Sequence, residues 1–123
     1  MILVLTAVVG GLGAATRFLV DMLVARWNPW TVPLGTVVVN ATASFALGVV
    51  TGFALADPAL ADVRTVIGTG FLGGYSTFST ASVEGARLIR AGRPWAAAAH
   101  AGGMAAISVV AALLGVLVAA GLS

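Results

Sequence analysis

The chain has 123 residues, of which 60% are hydrophobic and only 8% are charged, and its formal net charge is +2. A soluble domain this short exposes much of its surface and typically carries about 25% charged residues, so the composition excludes an ordinary soluble domain. The absence of cysteine excludes disulfides and cysteine-based metal sites. The arginines are scattered over the joints between apolar segments, which argues against nucleic-acid binding.

Four apolar segments are each long enough to cross a hydrocarbon layer of about 30 Å, which takes about 20 residues. They cover residues 2–25, 34–56, 63–89 and 95–122, and short polar or proline-bearing joints separate them. Trp27, Trp30 and Trp95 lie at these joints, as is typical of aromatic rings at the headgroup layer. The sequence therefore predicts an all-α integral membrane protein, with a single transmembrane domain of four helices over residues 1–123.

The arginines also predict how the chain is oriented. Four crossings place both termini and the second joint on one side, where the only arginine is Arg64. The opposite side carries Arg26, Arg87, Arg90 and Arg93. We expect the chain to lie in the inner (plasma) membrane of the cell. Because cytoplasmic loops are enriched in Lys and Arg, we expect the first and third joints on its cytoplasmic side and both termini on its external side.

Polar residues in the first two segments stand at helical spacing. Arg17 and Asp21 are one turn apart and can pair, and we interpret them mainly as structural residues. One face of the second segment carries small and polar residues at every fourth position: Thr36, Asn40, Ser44, Gly48 and Gly52. Gly48 and Gly52 form a GxxxG pair that lets another helix approach closely. The Asn40 amide is either a packing contact between helices or a donor to an anion.

The third segment differs from an ordinary membrane-spanning helix. Glycines at positions 68, 70, 73 and 74 are followed by hydroxyl side chains at 76, 77, 79, 80 and 82. Since glycine disfavours helix interiors, we predict a break within residues 73–77. Carbonyls exposed at a break favour a cation, whereas N–H groups favour an anion. The alternative is a kinked helix packed tightly on a neighbour.

Two further polar residues lie within the predicted spans. Glu84 shares a helix face with Thr80 and Arg87, so we expect its carboxylate to meet Arg87 or water near the membrane end. A local ion pair and a role in an ion pathway are the two alternatives for Glu84. His100 is the only histidine and has no partner ligands nearby in the sequence, so we do not expect a metal site there.

Three sequence elements together resemble the Fluc/CrcB fluoride channels over nearly the whole chain. They are GGLGAATRF at residues 10–18, PLGTVVVN at residues 33–40 and GFLGGYSTFST at residues 70–80. The resemblance implies an antiparallel dimer of four-helix subunits with a broken third helix, two pores and one structural sodium ion at the dimer axis. It further implies that backbone carbonyls of Gly73 and Ser76 hold this sodium.

The same resemblance implies an anion pathway that includes Asn40 and Phe78. The residues proposed to line it in this chain are Thr36, Asn40, Phe78, Ser79, Thr80, Ser82 and Glu84. The chain departs from the family pattern where a second phenylalanine would fall at Ala81, a tyrosine at about His100 and a serine at about Met104. These departures put one complete pore of a homodimer in doubt.

The expected function is a fluoride-specific ion channel subunit that exports fluoride passively, and we find no nucleophile–base pair that would indicate an enzyme. The expected partners are fluoride, the lipid bilayer and a second subunit, either identical or similar. One alternative is a non-conducting or half-pore subunit of a heterodimeric channel. Another is a small proton-coupled multidrug transporter, which needs a mid-membrane carboxylate, whereas the first segment offers only Asp21 near its end.

Overall fold

The computed structural model describes residues 1–30 and 33–123, and within these residues the chain is helical apart from short joints. Helix α1 spans Ile2–Trp27 and α2 spans Leu34–Ala56. A 3-10 turn, Pro58–Leu60, leads into α3 (residues 61–75), which consists of the α-helical turn Ala61–Arg64, the π-helix Thr65–Leu72 and the last turn Gly73–Tyr75. Helix α4 spans Ser79–Arg90 and α5 spans Pro94–Leu122.

Among the described residues, three helices are long and apolar enough to cross a membrane, namely α1, α2 and α5. Their outer faces are apolar, with large side chains such as Leu3, Val109 and Leu117 strongly exposed. Their contacts with one another use small residues instead, which is typical of helices packed in lipid. The prediction of an all-α membrane protein is confirmed, and α3 and α4 together occupy the third predicted segment.

Helices α2 and α5 pack closely because glycines line their contact. A Cβ on Gly48 would overlap the carbonyl oxygen of Ala112, and one on Gly115 would overlap that of Phe45. A Cβ on Gly52 would lie 2.6 Å from the Cβ of Ala119. The close approach predicted from the GxxxG pair is therefore present, and it sets the distance between the two helices that carry Asn40 and His100.

Helices α1 and α3 form the second close pair. A Cβ on Gly74 would overlap the carbonyl oxygen of Gly10, and one on Gly70 would lie 2.9 Å from the carbonyl oxygen of Thr6. We predicted a break within residues 73–77; the helix continues through these glycines to Tyr75, and the break covers residues 76–78. The reason is that backbone contact with α1 compensates for the helix propensity that glycine lacks.

The joints carry ordinary turn chemistry. Asp57 accepts a hydrogen bond from the N–H of Ala59 (2.9 Å) and starts the 3-10 turn. Gly92 adopts a φ of 72°, the left-handed conformation that commonly ends a helix, directly after α4. Pro94 then begins α5, where its missing N–H costs nothing. This tight connection keeps α4 packed along the start of α5.

Candidate functional site

The helical path is interrupted at Ser76, Thr77 and Phe78, between the end of α3 and the start of α4. Asn40 on α2 stabilises the interruption through two hydrogen bonds with the backbone of Thr77. Its Nδ2 donates to the Thr77 carbonyl (2.8 Å), and its Oδ1 accepts from the Thr77 N–H (2.8 Å). The side-chain amide thus replaces the helical partners that this residue has lost.

The Thr77 side chain organises the first turn of α4. Its hydroxyl oxygen accepts from the backbone N–H of Thr80 (3.2 Å), and the hydroxyl donates to the side-chain oxygen of Thr80 (3.1 Å). The Ser79 hydroxyl lies 3.4 Å from the hydroxyl oxygen of Thr77. Three hydroxyls therefore converge at the start of a helix, which is the positive end of its dipole.

Two carbonyls of the interruption lack the N–H partners that a continuous helix would give them. The Thr77 N–H, which would bond the Gly73 carbonyl, donates to Asn40, and the Thr80 N–H, which would bond the Ser76 carbonyl, donates to Thr77. The Ser76 carbonyl instead accepts a long hydrogen bond of 3.5 Å from Arg17 Nη1. Both carbonyls therefore retain acceptor capacity.

Arg17 and Asp21 do not form the predicted pair. Among the described residues, the one contact within salt-bridge distance joins His100 to Glu84, and Arg17 is turned toward Ser76. The Asp21 carboxylate instead lies against Gly35, whose position would not accommodate a Cβ. Both residues nevertheless line one small cavity of about 180 Å³, together with Thr36, Thr77 and Thr80.

A larger groove of about 950 Å³ opens on the other side of Asn40, between α2, α4 and α5. Phe78, with 86% of its surface exposed, is part of the groove wall. Other residues of the wall are Ser44, Ala81, Ser82 and Ser108. The second N–H of Asn40 points here and meets the sulfur of Met104 at 3.3 Å. A thioether is a weak acceptor, so this donor can be taken by a better one.

Glu84 differs most from its predicted surroundings. One carboxylate oxygen accepts from the Thr36 hydroxyl (2.6 Å), and the other lies 3.3 Å from His100 Nε2. The expected neighbour Arg87 is exposed and does not take part in these contacts. The reason is that α4 turns Glu84 inward between α2 and α5, where the side chain of His100 is 1% exposed.

The structure thus brings most of the predicted site residues to one region. The residues gathered around the interruption are Thr36, Asn40, Gly73, Ser76, Phe78, Ser79, Thr80, Ser82 and Glu84, whereas Gly48 and Gly52 lie farther along α2. Sequence reasoning missed Thr77, the residue that Asn40 holds, and the contacts of Met104 and His100. The run of hydroxyl residues after the glycines was the available signal for Thr77.

The fold and the site define a multi-pass helical membrane protein with a polar backbone interruption set between apolar helices. Residues 4–120 match the family described as CrcB-like protein, Camphor Resistance (CrcB), and the chain belongs to this family. The match covers every helix that contributes to the site.

Several relatives are similar over most of their length. The chain is 42% identical to Fluoride-specific ion channel FluC 1 of Leifsonia xyli subsp. xyli, over 94% of this chain and 84% of the relative. It is 45% identical to Fluoride-specific ion channel FluC 2 of Cutibacterium acnes, over 86% of this chain and 87% of the relative. The FluC channel of Syntrophotalea carbinolica is 42% identical over 97% of this chain and 98% of its own.

Proposed function

We propose that this chain is a subunit of a fluoride-specific ion channel that lets fluoride leave the cell passively, and that it is not an enzyme. Membership of the CrcB family and the names of its relatives support this function. The observation that carries it in the structure is the interruption at Ser76–Phe78, where Asn40 and several hydroxyls present donors beside an open groove. Fluoride is small and strongly hydrated, so a conducting path must replace its water with such donors.

The pathway follows the groove past Asn40, whose N–H toward Met104 is the donor most readily released to an anion. Phe78, Ser79, Thr80 and Ser82 follow at the start of α4, and the positive end of the helix dipole favours an anion there. In this proposal α3 and α4 together make the third of four crossings, with the interruption at membrane depth. Backbone without helical partners is tolerated there only where protein or a cavity satisfies it, as Asn40 does for Thr77.

A structural sodium ion fits the carbonyls of Gly73 and Ser76. Both have lost their helical partners, and carbonyl oxygens are suitable ligands for a hard cation. Gly73 is exposed on the surface of the subunit, and a Cβ there would meet nothing closer than 3.8 Å. The ion would therefore lie between two subunits of an antiparallel dimer, where it would bind to carbonyl oxygens that have lost their helical partners in both chains.

Two features of this chain indicate whether the second subunit is identical to it or only similar. A homodimer would need the same chain to insert in both orientations, but four arginines lie on one side of the predicted topology and one on the other. Ala81 lines the groove where the family pattern places a phenylalanine. Both observations favour a heterodimer with a similar subunit of opposite charge bias, in which this chain completes one pore.

The direct test is fluoride efflux from liposomes that contain this chain alone or together with a similar subunit of opposite charge bias. We expect weak or no efflux from the chain alone and strong efflux from the pair, because only the pair supplies a complete set of pore groups. Strong efflux from the chain alone would establish a homodimer. Absence of efflux from both preparations, in vesicles shown to contain folded protein, would contradict the proposed function.

Membrane orientation provides a separate prediction. With a reporter fused after Ser123, the chain expressed alone should insert in one orientation, with its C-terminus outside. The physical reason is the retention of the first and third joints on the cytoplasmic side by their arginines. Replacing Arg87, Arg90 and Arg93 with glutamine should produce a mixture of orientations. An even mixture in the unmodified chain would contradict the asymmetric insertion.

A further inference from the structure

Glu84 and His100 form a buried pair of titratable groups for which the conduction of an anion gives no obvious use. The His100 side chain is 1% exposed and the Glu84 side chain 15% exposed, and their Nε2 and Oε2 atoms are 3.3 Å apart. Neither ring nitrogen of His100 makes a hydrogen bond, nor does Oε2 of Glu84. Buried polar atoms are nearly always satisfied, so three such atoms in one contact require an explanation.

A proton added to His100 would make both ring nitrogens donors and would place a charged donor opposite Oε2 of Glu84. A charge-assisted hydrogen bond between imidazole and carboxylate is about 2.8 Å long, so the present 3.3 Å separation can shorten when one is formed. The other carboxylate oxygen is already held by Thr36 at 2.6 Å, which fixes the orientation of the carboxylate. The site is therefore preorganised toward the imidazole.

The pair lies beside residues that line the two cavities. Its partner Thr36 lines the small cavity, whereas Gly85 and Ala101, the chain neighbours of Glu84 and His100, line the groove. A net charge on the pair would act on an anion in either space, because the surrounding helices are apolar and screen little. We propose that Glu84 and His100 are a proton-binding site whose occupancy controls the passage of fluoride; this inference depends on the proposed function.

The sign of the effect follows from the charges. With His100 neutral and Glu84 ionised, the pair carries one negative charge, which repels fluoride. A proton on His100 cancels that charge, so efflux should rise as the pH falls. Hydrogen fluoride enters cells as a neutral acid and releases its proton inside, so such a site would raise efflux in the conditions that load the cell with fluoride.

Other charged groups around the pair do not account for a change in net charge between about pH 5.5 and pH 8. Helix α2 contributes no titratable side chain, and α5 contributes none besides His100. The remaining charged residues of α4 are Arg87 and Arg90, which are exposed, and α1 contributes Arg17 and Asp21 on the small cavity. The arginines keep their charge at every pH of interest.

The test measures fluoride efflux from liposomes between about pH 5.5 and pH 8, the range over which histidine ordinarily changes charge. Protein-free liposomes measure the leak of hydrogen fluoride at each pH, and this leak is subtracted. For the working channel, alone or with its partner, we expect efflux on the order of tenfold faster at the acid end. In His100→Gln the ratio between the two ends should fall to about one.

A second measurement does not depend on conduction or on the folding of a variant. Because the chain has a single histidine, ¹⁵N-histidine labelling reports on His100 alone in the wild-type protein. We expect its ring signals to change over the same pH interval as efflux. Ring signals that stay constant from pH 5.5 to pH 8, or a His100→Gln channel with the wild-type pH profile, would overturn the proton site. Efflux that is robust but independent of pH would do so too, while leaving the channel function intact.

Discussion

Replacing Asn40 with aspartate is expected to lower the rate of fluoride efflux about 100-fold or more. Aspartate keeps the oxygen that accepts from the Thr77 N–H but places a second oxygen where Nδ2 now donates to the Thr77 carbonyl at 2.8 Å. The variant loses a hydrogen bond, creates a repulsive oxygen–oxygen contact and adds a negative charge beside the groove. Liposome efflux measures the loss of conduction. The melting temperature in detergent measures how far the lost hydrogen bond and the repulsive contact destabilise the subunit.

Asn28→Asp is the matched control, since Asn28 is the other asparagine of the chain and lies in the joint after α1. The oxygen of its side chain accepts from the Trp30 N–H (2.9 Å), and aspartate retains that acceptor. We expect nearly normal efflux from this variant. A folded Asn40→Asp channel with efflux equal to that of Asn28→Asp would remove Asn40 from the pathway.

Replacing Gly73 with valine is expected to weaken the dimer without damaging the subunit. Within one chain, a Cβ at Gly73 is 3.8 Å from the nearest atom, the carbonyl oxygen of Gly68, which is an ordinary contact. In the proposed dimer the same side chain would crowd the sodium site. Overpacking of this kind costs about 1–3 kcal/mol, so the dissociation constant should rise about 5- to 150-fold. Single-molecule subunit counting at several protein densities, with and without sodium, provides the measurement.

Two other glycines make this experiment specific. A Cβ on Gly74 would overlap the Gly10 carbonyl oxygen, so Gly74→Val should lower the melting temperature of the subunit itself. Gly121 has no atom within 4 Å of a Cβ, so Gly121→Val should change neither property. If Gly73→Val forms a sodium-dependent dimer with the wild-type dissociation constant, the two carbonyls do not hold an ion at the dimer axis.

The sequence predicted the membrane class and the helix boundaries well because both depend on local properties. Hydropathy alone defines where a membrane helix can run, and the ends of α2 agree with the predicted residues 34–56. The face of α2 that contacts the interruption and α5 was also readable, because its small and polar residues recur at every fourth position.

The contacts between distant residues could not be predicted in the same way. The interruption was predicted within residues 73–77, and it lies at the end of that range, from Ser76 to Phe78, because α1 packs on the glycines and stabilises the helix there. Glu84 was expected near Arg87, yet it meets Thr36 and His100 on two other helices. Such pairings depend on how α2, α4 and α5 are rotated against one another, which no local pattern specifies.

The division of the third segment has a consequence for the synthesis of the protein. Helix α4 has 12 residues and a length of about 18 Å, well short of the hydrocarbon layer of about 30 Å. Three of its residues, Glu84, Arg87 and Arg90, are ionisable, so we do not expect the insertion machinery to accept α4 as an independent segment. It must enter the bilayer as a hairpin with α5, whose 29 residues are strongly apolar and follow after a short turn. If α3 and α4 form the proposed third crossing, that crossing is therefore still incomplete when a ribosome has synthesised only residues 1–90.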